Sequence, residues 1–223
     1  MSLKLVIFDL DGTLVNTIED VADSFNEALS QNGFRTHSLD EVAVLVGGDL
    51  ETIVGRMLPE NTRTRANIDR VKADYRRIYA TSSKPKTVPY EGIPQLLDEL
   101  FASGIGVAVN TNKGQDLAES CIAKLFPGRN IPVVGYVEDT PSKPDPSGVQ
   151  RILKGLSCSI YDAVYVGDGI SDAKTAKNAG LAFVFCGWGQ GGRAAVSEVM
   201  PDMLAVENID RLREVLLGGS NHE

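Results

Sequence analysis

The stretch Phe8-Asp-Leu-Asp-Gly-Thr-Leu-Val-Asn-Thr17 sets two carboxylates, Asp9 and Asp11, at the end of the apolar run Leu5–Phe8. Alternate residues of a strand point the same way, so the pair could share one face while Leu10 takes the other, and Gly12 permits a sharp turn after them. Close carboxylates repel, and each loses hydration on burial. A bound cation would resolve that conflict; a solvated turn, with the aspartates capping nearby amides, is the plain alternative. A calcium loop of the EF-hand kind does not fit, because counting from Asp9 its glycine position holds Leu14 and its glutamate position Asp20. Nor do the histidines, His37 and His222, and the scattered Cys121, Cys158 and Cys186 make a zinc set.

Three later stretches carry further chemistry. The run ending at Asn110 continues into Thr111-Asn112-Lys113; Lys143 sits among the prolines of Thr140-Pro-Ser-Lys-Pro-Asp-Pro146; and Ala163–Val166 leads into Gly167-Asp-Gly-Ile-Ser-Asp172. Singly each has an ordinary explanation, since a loop lysine is usually solvated and a threonine at a strand end often caps the next helix.

All of these must be positioned by regular elements. Apolar runs at Leu3–Phe8, Ile105–Asn110, Ile131–Val137, Ala163–Val166, Ala182–Cys186 and, more weakly, Met203–Val206 are near-continuous rather than alternating, as for strands buried on both faces of a parallel sheet. Helical patterns separate most of them: Ile93, Leu96, Leu97 and Leu100 before Gly104, and Ile170–Ala179 before Gly180. This βαβ alternation predicts an α/β fold with a doubly wound, mostly parallel sheet, whose ligands bind at the carboxyl ends of the strands.

Residues 16–88 interrupt the alternation. Ile18, Val21, Phe25 and Leu29 form one helical stripe, and Ile68, Val71, Tyr75, Ile78 and Tyr79 another. Between them Ser38-Leu-Asp-Glu41 forms a capping box, followed by a Gly47-Gly48 break and the apolar positions Leu50, Ile53, Val54 and Met57. The pattern predicts an α-helical insertion over 16–88, with the core built from 1–15 and 89–223.

Taken together and in this order, Asp9-Leu-Asp11-Gly-Thr13, Thr111, Lys143 and Asp168 with Asp172 resemble the four motifs of the haloacid dehalogenase superfamily, and the insertion resembles its helical cap domain on a Rossmann-like core. Within that family Leu14-Val-Asn-Thr17, Val109-Asn-Thr-Asn-Lys113, Ser142-Lys-Pro-Asp-Pro146, Asp172-Ala-Lys-Thr-Ala-Lys-Asn-Ala-Gly180 and Phe185-Cys-Gly-Trp-Gly189 look most like the phosphoglycolate phosphatase branch. The resemblance implies a Mg²⁺-dependent phosphatase of small phosphomonoesters, 2-phosphoglycolate first among them. Asp9 would be the nucleophile, forming an aspartyl-phosphate, and Asp11 the proton donor and acceptor. The ligands of Mg²⁺ would be the Asp9 side chain, the Asp11 main-chain carbonyl and Asp168, with Asp172 in support. Lys143, the Thr111 hydroxyl and the Asn112 amide would bind the phosphoryl group.

Specificity would lie in the cap. Gly47-Gly48 serves either as a helix–helix turn or as a loop closing over substrate, and Arg56 is a candidate for gripping a substrate carboxylate. Trp188 could line the site or cover the core. Two departures from the family pattern, Asn16 where an acidic residue is common and Gly169 where a serine often stands, remove no essential group. Among rivals, a β-phosphoglucomutase-like phosphosugar mutase is disfavoured because Gly47-Gly-Asp49 lacks the arginine its second phosphate requires. Pyrophosphatase and nucleotide phosphatase activities stay open. A dehalogenase would lack Asp11, and a receiver-like module would carry its acceptor on a later strand without a cap. An inactive phosphate-binding module would have no need for every residue of turnover.

Composition bounds the rest. With 30 Asp+Glu against 22 Lys+Arg the net charge is −8, which argues against nucleic acid as a partner. No run approaches the ~18 apolar residues of a membrane span, and an odd number of distant cysteines suits a reducing cytoplasm.

Overall fold

Every residue of Leu5–Phe8 is buried, because this strand lies at the centre of a sheet covered on both faces. The computed structural model describes residues 3–218. In chain order the strands are β1 (Leu5–Phe8), β2 (Val15–Asn16), β3 (Val88–Pro89), β4 (Gly106–Gly114), β5 (Val133–Tyr136), β6 (Ala163–Gly167), β7 (Ala182–Cys186) and β8 (Leu204–Val206). The helices are α1 (Ile18–Gln31), α2 (Leu39–Leu45), α3 (Leu50–Met57), α4 (Arg65–Thr81), α5 (Ile93–Ala102), α6 (Gln115–Leu125), α7 (Ser147–Gly155), α8 (Ile170–Ala179), α9 (Arg193–Val199) and α10 (Ile209–Leu217).

Strands β2 and β3 form a two-stranded ribbon, and the other six form one sheet in the order β5-β4-β1-β6-β7-β8 with all neighbours parallel. From β1 the chain builds outward through β4 and β5, then returns to the other side of β1 with β6, β7 and β8. The order therefore reverses beside β1, and such a reversal opens a crevice at the strand carboxyl ends.

Alternation along β1 feeds two cores. Val6 and Phe8 join one cluster with Ile93, Leu96, Leu97 and Leu100 of α5, while Leu5 and Ile7 join another with Val149 and Ile152 of α7 and Ala173 and Ala176 of α8. Each large apolar side chain so buried contributes about 1.5–3 kcal/mol relative to exposure. Helix α8 ends at Gly180, whose φ of 74° is the left-handed cap that its sequence position predicts.

The chain divides into two compact units, residues up to Val15 with those from Pro89 onward, and Asn16–Val88. The second unit is helical, with a core of its own in which Phe25, Leu29, Val54, Met57, Val71 and Ile78 are buried. The Ser38–Glu41 capping box starts α2, the Asp49 side chain accepts from Thr52 N–H at the start of α3, and Phe25 stacks on Tyr75. Among the described residues no helix is long and apolar enough to cross a membrane.

The observed strands are shorter than their apolar runs at Leu3, Ile105, Ile131 and Met203, but β4 is longer. It continues past Asn110 to Gly114, and its register shifts: Asn110 pairs with Val134 and Gly114 with Tyr136, four steps on β4 against two on β5. Such an irregularity re-aims side chains, and here it falls on Thr111-Asn112-Lys113.

Candidate active site

Register brings the first two carboxylates together. Phe8 pairs with Val166 across β1 and β6, so Asp9 and Asp168, just beyond those strands, emerge side by side, and Asp9 N–H donates to Val166 O at 2.9 Å. Asp172 lies in the first turn of α8, where its Oδ2 accepts from Gly169 N–H at 2.9 Å. The loop after β5 delivers Lys143.

Lys143 Nζ donates to Asp9 Oδ1 at 2.6 Å and to Asp172 Oδ1 at 2.7 Å, with all three groups buried. The Tyr165 hydroxyl donates to Asn110 O at 3.0 Å and lies 3.4 Å from Asp172 Oδ1. Asp9, Asp168 and Asp172 each present a carboxylate oxygen within 4.8 Å of the others. Burial, reinforced by the charge of Asp172, pushes the Asp9 carboxyl up to about 8 against the pull of Lys143. Burial and Asp172 likewise raise Asp168 to about 6, although the N–H groups of Gly191 and Gln190 oppose the rise. Burial alone would lower Lys143; the charges of Asp172 and Asp9 outweigh it and hold the ammonium well above its ordinary range. Three buried carboxylates thus face one buried ammonium, an imbalance that a divalent cation on oxygen ligands fits.

Asp168 is held from a direction that side-chain motifs do not reveal. Its Oδ2 accepts from Gln190 N–H at 2.8 Å and Gly191 N–H at 3.1 Å, in the loop after β7. A Cβ on Gly189 or Gly191 would collide with Asp168, and one on Gly12, whose φ is 85°, would come within 2.6 Å of its Oδ2. Trp188 braces this wall: its Nε1 donates to Thr13 O at 3.1 Å and its ring meets Tyr90 edge-on. The glycine-rich character of 187–192 was the available signal.

The irregular end of β4 supplies the other wall. Thr111 is buried and its Oγ1 accepts from Lys113 N–H at 3.2 Å, leaving its own proton to donate. The Asn112 side chain does not act as a free donor: it accepts from Lys143 N–H at 2.9 Å and donates to Lys143 O at 3.3 Å. Its contribution therefore runs through the loop that carries the lysine. Lys113, to which the sequence assigns no role, donates to Asp11 Oδ1 at 2.9 Å and Oδ2 at 3.2 Å.

In the helical unit Gly47 and Gly48 both have positive φ, 109° and 97°, and connect α2 to α3. Arg56 Nη1 donates to Leu45 O at 3.3 Å and Gly47 O at 2.8 Å, so it fastens that loop. Cys186 is buried, with burial raising its thiol, and among the described residues no disulfide joins the cysteines. His37 is buried with Nε2 2.9 Å from Met57 O, a packing role; His222 lies outside the described residues.

The doubly wound α/β sheet brings acidic side chains and a lysine together at its switch point, where such folds bind ligands. The chain matches the haloacid dehalogenase-like hydrolases over residues 6–186 and belongs to that family, among its phosphatases. It is 30% identical over 221 residues to the phosphoglycolate phosphatase of Pseudomonas syringae pv. tomato, covering 96% of this chain and 79% of that one. It is 28% identical to the phosphoglycolate phosphatase of Vibrio parahaemolyticus, covering 96% of each. Among solved structures, a Lactobacillus delbrueckii subsp. bulgaricus protein provisionally assigned as a phosphoglycolate phosphatase superposes with a TM-score of 0.90 at 26% identity, covering 98% of this chain and all of that one. Protein tyrosine kinase A of Mycobacterium tuberculosis superposes with a TM-score of 0.80 at 25% identity, over 97% of this chain and 99% of that one. One fold thus carries different activities, and specificity must be argued from side chains.

Proposed function

We propose that this chain is a Mg²⁺-dependent phosphomonoesterase acting on a small metabolite, with 2-phosphoglycolate the leading substrate. The observation that carries the proposal is Lys143 buried between Asp9 and Asp172 with Asp168 alongside. The relatives named phosphoglycolate phosphatase support the substrate.

An Asp9 oxygen attacks phosphorus; as the new O–P bond forms, the ester P–O bond breaks and its electron pair leaves on the alkoxide, which takes a proton from Asp11. Water then attacks the aspartyl-phosphate and gives its proton to Asp11, while Asp9 departs with the electrons of its own P–O bond and inorganic phosphate is released. Lys143 neutralises phosphoryl charge and fixes Asp9, and the Thr111 hydroxyl donates to a phosphoryl oxygen. Asp9 and Asp168, with the Asp11 carbonyl, would hold the ion, and Asp172 supports them through Lys143. When bound, Mg²⁺ supplies the charge that offsets repulsion between nucleophile and phosphate, about 1 kcal/mol per charge pair in water at 4 Å and more in a drier site.

The unit Asn16–Val88 is assigned as the cap, and cysteines outside any disulfide suit a reducing cytoplasm. The test is phosphate release, with and without Mg²⁺, from 2-phosphoglycolate, pyrophosphate, nucleoside monophosphates and hexose phosphates. Turnover that needs Mg²⁺, favours 2-phosphoglycolate and disappears in Asp9→Asn is expected; wild type and variant equally inert would overturn the proposal.

A further inference from the structure

We propose that Lys113 is both the positioning residue of Asp11 and the cationic subsite for an anionic group borne on the substrate's ester carbon. The inference rests on the phosphatase function above. It selects phosphate monoesters of small 2-hydroxy acids over esters with uncharged tails.

Lys113 lies within the register shift of β4, and its side chain is only 7% exposed while that of Asp11 is 32% exposed. A nearly buried ammonium bridging both Asp11 oxygens, at 2.9 and 3.2 Å, fixes the plane of that carboxylate. The group that protonates the leaving oxygen must come within about 2.6–3.2 Å of it. The ester oxygen therefore lies beside Asp11, and Lys113 Nζ is one hydrogen bond further on. In an ester of a 2-hydroxy acid the carboxylate is bonded to the ester carbon itself, so it falls against that ammonium. Lys143 is committed to the phosphoryl end of the site, where it bonds Asp9 and Asp172. An uncharged tail offers Lys113 no anion beside Asp11.

The experiment measures kcat and KM for 2-phosphoglycolate, its carboxamide analogue and ethyl phosphate in wild type, Lys113→Met and Lys113→Arg. Wild type is expected to favour the acid over the amide by on the order of 100-fold in kcat/KM, the worth of a hydrogen bond to a charged group. Lys113→Met should remove most of that preference, chiefly through KM, and Lys113→Arg should retain part of it. Equal losses on all three esters would leave Lys113 as a positioning residue of Asp11 alone and overturn the subsite. Should Lys113→Met not fold, wild type and Lys113→Arg still decide: a wild type indifferent between acid and amide overturns it. A wild type inert toward every ester overturns the phosphatase function as well, and so separates the two failures.

Discussion

Asp172 and Lys143 form a buried ion pair at 2.7 Å, with side chains 2% and 3% exposed, and the remaining Asp172 oxygen is tied to Gly169 N–H. Asp172 is thus a fixed anchor that sets where the ammonium can sit, and Asp9 accepts from the same ammonium. Asp172→Asn keeps the shape but loses the charge. Its expected effect is a 10–100-fold loss of metal affinity or activity, the range for supporting partners of a metal site. Titrating activity with Mg²⁺ in both proteins checks this; an unchanged half-saturation and rate would refute it.

Lys143→Met removes the buried cation that faces both Asp9 and Asp172. Leaving buried charge uncompensated costs about 3–5 kcal/mol. Urea unfolding should show that loss without metal, and Mg²⁺ should restore more stability to the variant than it adds to wild type, because the variant's site is more negative. Equal Mg²⁺ effects in the two would count against the electrostatic account.

Proton and metal compete for the same carboxylates. Burial, then Asp172, raises Asp9 from 3.8 to about 8 and Asp168 from 3.8 to about 6. As pH rises from about 4, the unfolded chain ionises while the folded site still holds its protons, so without metal the stability from these groups is full below about pH 4 and lost through about pH 8. A cation favours the ionised forms. The thermal midpoint should therefore rise on adding Mg²⁺ by little near about pH 5 and by more near about pH 8. A shift of the same size at both would contradict this coupling.

Gly12 has a φ of 85°, and a Cβ there would approach Asp168 Oδ2 at 2.6 Å and Gln190 Oε1 at 2.8 Å. Gly12→Ala should cost about 1–3 kcal/mol in backbone strain and also displace Asp168. Thermal unfolding reads the first effect and Mg²⁺ affinity the second; a fully active, equally stable variant would disprove the crowding.

Much of this site is legible in the sequence because strand ends are legible. Asp9 and Asp168 each follow a continuous apolar run, and a parallel sheet in the observed order carries both to one edge. What stayed hidden has no side-chain signature or depends on local irregularity. The donors of Gln190 and Gly191 to Asp168 are main-chain groups, announced only by glycines too small to obstruct them. Lys113 looks like any loop lysine until the register shift of β4 turns it to Asp11. Asn112 reads as a phosphate donor by position, yet its amide closes on the main chain of Lys143, a partner 31 residues away.

The contacts that define the site are also among the most distant in the chain: 134 residues separate Lys143 from Asp9, and 102 separate Lys113 from Asp11. Closing such spans is entropically costly and pairing parallel strands is slow, so the carboxylates meet only after the sheet has assembled. Mg²⁺ or a phosphate analogue then finds nothing to grip in partly folded chains. Either ligand should slow unfolding while leaving the refolding rate nearly unchanged, acting as a latch on the finished structure and never as a template for making it.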